Sequence, residues 1–137
     1  MTATTIPAAT TAKDTFLRFA MRLDAVLTGL MGVALAAAAG PMSSLTGLSL
    51  AAEYELAAFF IVYGVTVFGL SLLRHVRVPG VFVVGGNLLY TALAVLVVLA
   101  GVWPLTTTGI VLTLGSGVYT LVMADLQYLG LRRMRAA

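Results

Sequence analysis

The chain has 137 residues, 61% of them hydrophobic and 9% charged, with a mean hydropathy of +1.06. Because an average soluble domain has roughly 25% charged residues, this composition excludes an ordinary soluble fold and favours an integral membrane protein. The absence of cysteine excludes disulfides, cysteine-ligated clusters and thiol redox chemistry. The length allows one compact bundle and no second domain.

The net charge of +3 and the isoelectric point near 9.7 raise the question of nucleic-acid binding. The sequence has neither the basic stripe nor the aromatic stacking platform that such binding needs. The basic residues lie instead at the ends of apolar segments, where anionic lipid headgroups are the expected partners. We therefore expect a lipid bilayer, and no nucleic acid, around this chain.

Residues 1–12 are mostly small and polar and are expected to form a disordered N-terminal tail. Residues 13–137 form the expected membrane domain. A hydrocarbon core about 30 Å thick requires roughly 20 apolar residues in a helix. Four segments meet this requirement, at about residues 23–39, 54–73, 81–102 and 107–129.

Breakers and charges separate these spans. Gly40-Pro41 ends the first span, the basic run from Arg74 to Arg77 ends the second, and Trp103-Pro104 follows the third. Each span is expected to be a continuous helix, because lipid offers the backbone no other hydrogen-bond partners. The sequence thus predicts an all-α transmembrane four-helix bundle made of two hairpins.

All eight lysine and arginine residues are expected on one side of the membrane. They precede the first span, separate the second from the third and follow the fourth: Lys13, Arg18, Arg22, Arg74, Arg77, Arg132, Arg133 and Arg135. The connections from Pro41 to Ala52 and from Gly101 to Thr108 contain none. Short loops rich in Lys and Arg stay cytoplasmic. We therefore expect a multi-pass protein of the plasma (inner) membrane with both termini in the cytoplasm.

A secretory signal peptide is an alternative interpretation of the first span. Basic residues, an apolar run and the small residues from Ala36 to Gly40 resemble a signal with its cleavage site. Asp24, at the start of the run, argues against cleavage. Removal of residues 1–39 would leave three spans in an unchanged orientation, and the sequence leaves this alternative open.

Small and polar residues recur every four positions in two of the spans. They are Asp24, Thr28, Gly32, Ala36 and Gly40 in the first span and Gly109, Thr113, Gly117, Leu121 and Asp125 in the fourth. Residues four apart lie nearly above one another on a helix, and small residues let membrane helices approach closely. Six of these residues are predicted to form helix-packing seams: Thr28, Gly32, Ala36, Gly109, Thr113 and Gly117.

The candidate polar site consists of Asp24, Asn87 and Asp125. We expect these three side chains to converge in a cytoplasm-facing pocket. Asp24 follows the last arginine before the first span by two residues, so it is expected near the cytoplasmic boundary rather than the midplane. The carboxylates could form ion pairs, form a proton- or cation-coupled site, or extend to water, and all three roles stay open. The candidate ion-pair partners are Arg22, Arg74 and Arg77.

No catalytic or metal-binding constellation is present in the sequence. His75 is the only histidine, and it is expected in a solvated loop. A single histidine can neither supply both ligands of a bis-histidine haem nor anchor a metal site. Glu53 and Glu55 are expected at the solvated start of the second helix, where acidic residues are favourable. We expect no metal, no cofactor and no enzymatic activity.

Four short motifs carry a family resemblance: Leu17-Arg18-Phe19, Arg22-Leu23-Asp24-Ala25, Gly40-Pro41 and Gly86-Asn87-Leu88. Together they resemble small four-span membrane proteins of actinobacteria and, distantly, the DoxX-like four-helix bundles. The similarity covers most of residues 16–133. It implies a membrane location and a bundle fold rather than an activity, and it marks Asp24 and Asn87 as positions of interest.

Two classes of function are compatible with these features. The first is a non-enzymatic bundle that binds a partner subunit, a lipid or a quinone. The partner subunit is either another membrane protein or a second copy of this chain, and the sequence leaves both alternatives open. The second is a small-solute or proton-linked transporter that uses the candidate polar site. A transporter needs an ionisable carboxylate, whereas a packing role tolerates a neutral isostere. An enzyme acting on lipids is a third hypothesis, with no residue assigned to it.

Overall fold

A computed structural model describes residues 5–136, with side chains described for residues 13–135. In this part of the chain there are five helices and no strands. They are α1 (Thr5–Ala37), α2 (Ala39–Thr46), α3 (Leu50–Ser71), α4 (Arg77–Ala100) and α5 (Thr107–Ala136). The predicted all-α bundle is confirmed. The tail was predicted at residues 1–12. Residues 1–4 lie outside the described residues, and the side chains of residues 5–12 are not described.

Four of the helices are long and apolar enough to cross a membrane. These segments are Lys13–Ala37, Leu50–Ser71, Arg77–Ala100 and Thr107–Arg135. Their outward faces carry large apolar side chains, such as Val65, Phe82 and Leu99, each exposed by more than two thirds. Water would disfavour such a surface, whereas lipid accommodates it. These features are those of a multi-pass membrane protein, and each of the four predicted spans falls mainly on one of the four helices.

The short helix α2 was not expected, since the segment after Gly40-Pro41 was predicted to be a loop. The chain leaves helical geometry at Ala38 and then begins a new helix. Pro41 lies in the first turn of α2, where its missing N–H costs no intrahelical hydrogen bond. The helix ends at Gly47, which has a φ of 85° and donates its N–H to the carbonyl oxygen of Ser43. A side chain would be strained there.

The four long helices pack unequally. Helix α1 packs along α3 and α5, α4 packs along α5, and α3 and α4 make few contacts with each other. We name the end of the bundle where α3 gives way to α4 the basic end, and the opposite end the α2 end. The buried apolar core lies toward the basic end and consists of Leu17, Met21, Ala25, Val67, Val76 and Val83.

Arginines of α1 cap the last turn of α3 at the basic end. The Arg18 guanidinium donates to the carbonyl oxygens of Ser71 at 2.7 Å, Leu73 at 2.6 Å and Arg74 at 2.9 Å. Arg22 donates to the Ser71 hydroxyl at 3.1 Å. The last carbonyls of a helix lack intrahelical partners, and cations are favourable at this end. These contacts attach α1 to the end of α3.

Candidate functional site

Asp24 is completely buried and lies at the centre of a hydrogen-bond cluster. Its Oδ2 atom accepts three bonds, from the Tyr63 hydroxyl at 2.7 Å, Asn87 Nδ2 at 2.9 Å and Gln127 Nε2 at 3.0 Å. Asn87 Nδ2 also donates to Gln127 Oε1 at 3.0 Å. The two amides therefore hold each other while both bind the carboxylate.

The other carboxylate oxygen of Asp24 is bound by hydroxyl groups. Its Oδ1 atom accepts from Tyr119 at 2.9 Å and from Thr28 at 3.0 Å. The two hydroxyl oxygens are themselves 3.1 Å apart. Together with Oδ2, five side chains donate to one carboxyl group. We call Asp24 and its five donors, Thr28, Tyr63, Asn87, Tyr119 and Gln127, the Asp24 cluster.

The Asp24 cluster joins all four long helices near the middle of the bundle. Tyr63 lies about 12 Å before the last residue of α3, and Asn87 about 15 Å after the first residue of α4, at 1.5 Å per residue. Both estimates place the cluster near half the thickness of a hydrocarbon core of about 30 Å. Asp24 is therefore deeper than its spacing from Arg22 predicted, because Arg22 extends its side chain to the end of α3.

Asp125 does not join Asp24 and Asn87, which corrects the predicted site. Asp125 is exposed, whereas Gln127 is fully buried in the cluster. The four-residue spacing caused the error, because each step of four turns about 40° beyond a full helical turn. Two steps from Gly117 rotate Asp125 by about 80°, away from the packed face.

The predicted ion pairs with Arg22, Arg74 and Arg77 do not form with Asp24. Arg22 binds Ser71, and Arg74 and Arg77 are exposed at the basic end. In the described part of the chain the one salt bridge joins Arg18 to Asp14 at 3.0 Å. Uncharged hydroxyl and amide groups thus surround Asp24 where a cation was expected.

The predicted seam on α1 divides between packing and hydrogen bonding. A side chain at Gly32 would lie 2.8 Å from the carbonyl oxygen of Ala57, so this glycine permits the close approach of α1 to α3. Thr28 belongs to the Asp24 cluster instead. Ala36 is half-buried.

The predicted seam on α5 is similarly divided. A Cβ at Gly117 would lie 3.3 Å from the Cβ of Ala94 on α4, and one at Gly109 would collide with the backbone of Thr46 on α2. Thr113 lines a cavity and is half-buried. Gly117 and Gly109 thus permit close packing against two different helices.

A cavity of about 800 Å³ extends from the Asp24 cluster to the α2 end. Its floor is formed by four of the donors to Asp24: Thr28, Tyr63, Asn87 and Tyr119. Its walls are mainly apolar and include Leu27, Met31, Leu35, Phe59, Phe60 and Leu112. The cavity lies toward the α2 end and the buried apolar core toward the basic end, so the cavity is on the side of Asp24 opposite to the predicted cytoplasm-facing opening.

Thr46 and Glu53 form the polar end of the cavity near α2. Glu53 was expected to be solvated, but it is only 1% exposed, because α2 folds back over the start of α3. Its Oε1 atom accepts a hydrogen bond from the Thr46 hydroxyl. Glu55, two residues later, is exposed as expected. A second buried carboxylate therefore lines the cavity.

Sequence reasoning missed Tyr63, Tyr119 and Gln127 as members of the cluster. The available signal was their polarity within otherwise apolar spans, since such groups in lipid need hydrogen-bond partners. Their identity as partners of Asp24 depends on the rotation of α3 and α5. Only the packed bundle provides that rotation.

Comparison with protein-family models, curated proteins and solved structures finds no match for this chain. The resemblance to DoxX-like bundles stays a prediction that depends on short motifs. Function must therefore be inferred from the geometry of the Asp24 cluster and the cavity.

Proposed function

We propose that this protein is a non-enzymatic membrane bundle that binds a lipid- or quinone-like small molecule in the cavity above Asp24. The observation that carries the proposal is the cavity itself, about 800 Å³ and mainly apolar, with polar groups at its two ends. Small-molecule sites typically measure about 300–1,000 Å³ and combine apolar walls with a few convergent polar groups. An elongated apolar molecule with a hydrogen-bonding group matches this arrangement.

The walls of the cavity extend to the surface that faces lipid. Phe59 on α3 and Val111 on α5 both line the cavity and are 52% and 63% exposed. Helices α3 and α4 make few contacts with each other. A molecule dissolved in the bilayer could therefore enter from the side without passing through water. This route favours a membrane-soluble ligand over a water-soluble one.

Filling the cavity should remove the bound molecule. Gly86 lines the cavity, and a Cβ there would have no atom within 4 Å. We expect Gly86→Phe to leave the bundle folded but to lower the ligand occupancy severalfold, because the ring occupies the ligand's volume. Native mass spectrometry of protein purified from membranes measures this occupancy as added mass.

Gly85→Phe is the matched control. Gly85 also has open space beside it but does not line the cavity. The ligand occupancy of the Gly85→Phe variant should therefore equal that of the unmodified protein. Equal occupancy in all three proteins, or none in any, would contradict the proposal. Co-purification of a stoichiometric protein would favour the partner-subunit hypothesis instead.

A second candidate function is proton-linked transport of a small solute. The observation that favours it is the uncharged environment of Asp24, whose hydroxyl donors also form the cavity floor. A buried carboxylate without a cation in a membrane is costly and is often functional. Binding without transport requires fewer assumptions, because buried apolar residues such as Leu17, Met21 and Val76 lie between the Asp24 cluster and the basic end.

We also propose that the protein lies in the plasma membrane with its basic end and both termini in the cytoplasm. The distribution of lysine and arginine supports this orientation. Reporters fused after Gly47 and Thr106 should report the outside, and reporters at Val78 and Ala137 the cytoplasm. A cytoplasmic signal at Thr106 would refute the orientation, and an intact mass lacking residues 1–39 would establish signal cleavage.

A further inference from the structure

We propose that Glu53 makes the cavity selective for amphiphiles with a cationic headgroup, such as a hydrophobic primary amine. The inference rests on the proposed function, and it adds the charge of the ligand and the residue that binds it. Glu53 is 1% exposed and lines the cavity. It is the single formally charged residue among those that line the cavity.

The hydrogen bonding of Glu53 leaves most of its acceptor capacity unused. Among the described residues its side chain accepts one hydrogen bond, from the Thr46 hydroxyl. The Leu48 N–H donates to that same hydroxyl oxygen at 3.1 Å, which orients the threonine proton toward Glu53. An ionised carboxylate can accept about four hydrogen bonds. A ligand with several N–H donors would supply the remaining partners.

Among residues 13–135, whose side chains the structure describes, no cation forms an ion pair with Glu53. The sequence contains no lysine, arginine or histidine between Arg22 and Arg74 or between Arg77 and Arg132. Along α3, Glu53 lies about 27 Å from Ser71, where the basic end begins, at 1.5 Å per residue. An isolated buried charge is strongly unfavourable unless it is paired. The missing counter-charge is therefore assigned to the ligand.

The position of Glu53 in α3 also suits a negative charge. It lies in the first turn of the helix, after the Ser49 cap, whose side chain accepts from the Ala52 N–H. Negative side chains are stabilised near helix N-termini. The other end of the cavity presents the Asp24 cluster, which has a second carboxylate behind its hydroxyl and amide groups. Both ends therefore disfavour an anionic ligand.

The test compares three probes with the same alkyl chain: tetradecylamine, tetradecanol and tetradecanoic acid. Their binding to the full chain is titrated by native mass spectrometry at about pH 8, where the amine is cationic and the acid anionic. We expect the amine to bind about tenfold tighter than the alcohol, because close charge pairs add measurable affinity in protein complexes. The acid should bind most weakly.

Glu53→Gln should abolish the preference for the amine over the alcohol, so that the two probes bind with equal affinity. Glu55→Gln is the matched control, because it removes the same charge from an exposed position two residues later, and it should preserve the amine preference. If Glu53→Gln does not fold, the order of the three probes on the unmodified protein still decides the question.

Two results separate this inference from the proposed function. Equal binding of the three probes, abolished by Gly86→Phe, would overturn the role of Glu53 and retain the cavity as a binding site. Absence of binding by every probe, with no effect of Gly86→Phe on occupancy, would overturn both. An amine preference that survives Glu53→Gln would overturn the assignment of the headgroup to this residue.

Discussion

Replacing Asp24 with leucine should lower the free energy of unfolding by about 2–3 kcal/mol, because it removes four interhelical hydrogen bonds, which in membrane proteins average about 0.6 kcal/mol each. Five side chains would lose their common acceptor in a fully buried environment. The donors come from all four long helices, so the loss should loosen the whole bundle. Unfolding in mixed micelles, followed by circular dichroism against the fraction of denaturing detergent, measures the change.

Asp24→Asn should be milder than Asp24→Leu. An asparagine can present its Oδ1 atom to the Tyr63, Asn87 and Gln127 donors and point its Nδ2 atom toward the hydroxyls. Those hydroxyl groups can accept as well as donate. Asp125→Asn is the control, because it makes the same change at an exposed residue, and it should alter stability by less than about 0.5 kcal/mol. Equal stability of Asp24→Leu and the unmodified protein would show that the cluster does not hold the bundle together.

The Asp24→Asn variant also separates the two candidate functions. A bundle that only binds an amphiphile should retain its ligand when the carboxyl group becomes an amide, because the cavity volume is unchanged. A proton-linked transporter should remain folded but lose uptake driven by a pH gradient in liposomes. Retained gradient-driven uptake by this variant would exclude Asp24 as the coupling group.

Gly64→Leu should destabilise the bundle by about 1–3 kcal/mol, the usual cost of overpacking a well-packed core. A Cβ at this position would lie 2.7 Å from the carbonyl oxygen of Ala25 and 2.9 Å from the Cα of Gly29. Both atoms belong to the backbone of α1, so α1 and α3 must separate to admit a side chain. Thermal unfolding in detergent measures the effect.

Gly69→Leu is the control for this substitution. Gly69 lies on the same helix, and a Cβ there would have nothing within 4 Å. The added leucine should face lipid, and replacing glycine in a helix is favourable by up to about 1 kcal/mol. A loss of stability equal to that of Gly64→Leu would mean that the helix itself, rather than its contact with α1, is sensitive to the change.

The glycine contacts illustrate what residue spacing can and cannot predict. The four-residue spacing in the first span included Gly32, which does permit close approach to α3. It did not include Gly29, whose backbone faces Gly64 on α3 and likewise permits a close approach of the two helices. Their role depends on which glycine of one helix faces which glycine of another, and a single sequence does not contain that information.

Hydropathy and charge by themselves determined the four spans and the segregation of basic residues, because lipid imposes both requirements on each helix separately. They also identified Asp24 and Asn87, since polar groups in apolar spans need a reason to be there. Helix rotation, which only the packed bundle supplies, placed Gln127 in the cluster and Asp125 outside it.

The burial of Glu53 and the cavity were likewise decided by tertiary structure alone. Helix α2 covers the start of α3, and the few contacts between α3 and α4 leave space above Asp24. Both features depend on how separate helices meet rather than on the preference of any one of them. Membrane insertion is a property of each segment and can be read from it. The position of a buried carboxylate is a property of the whole assembly.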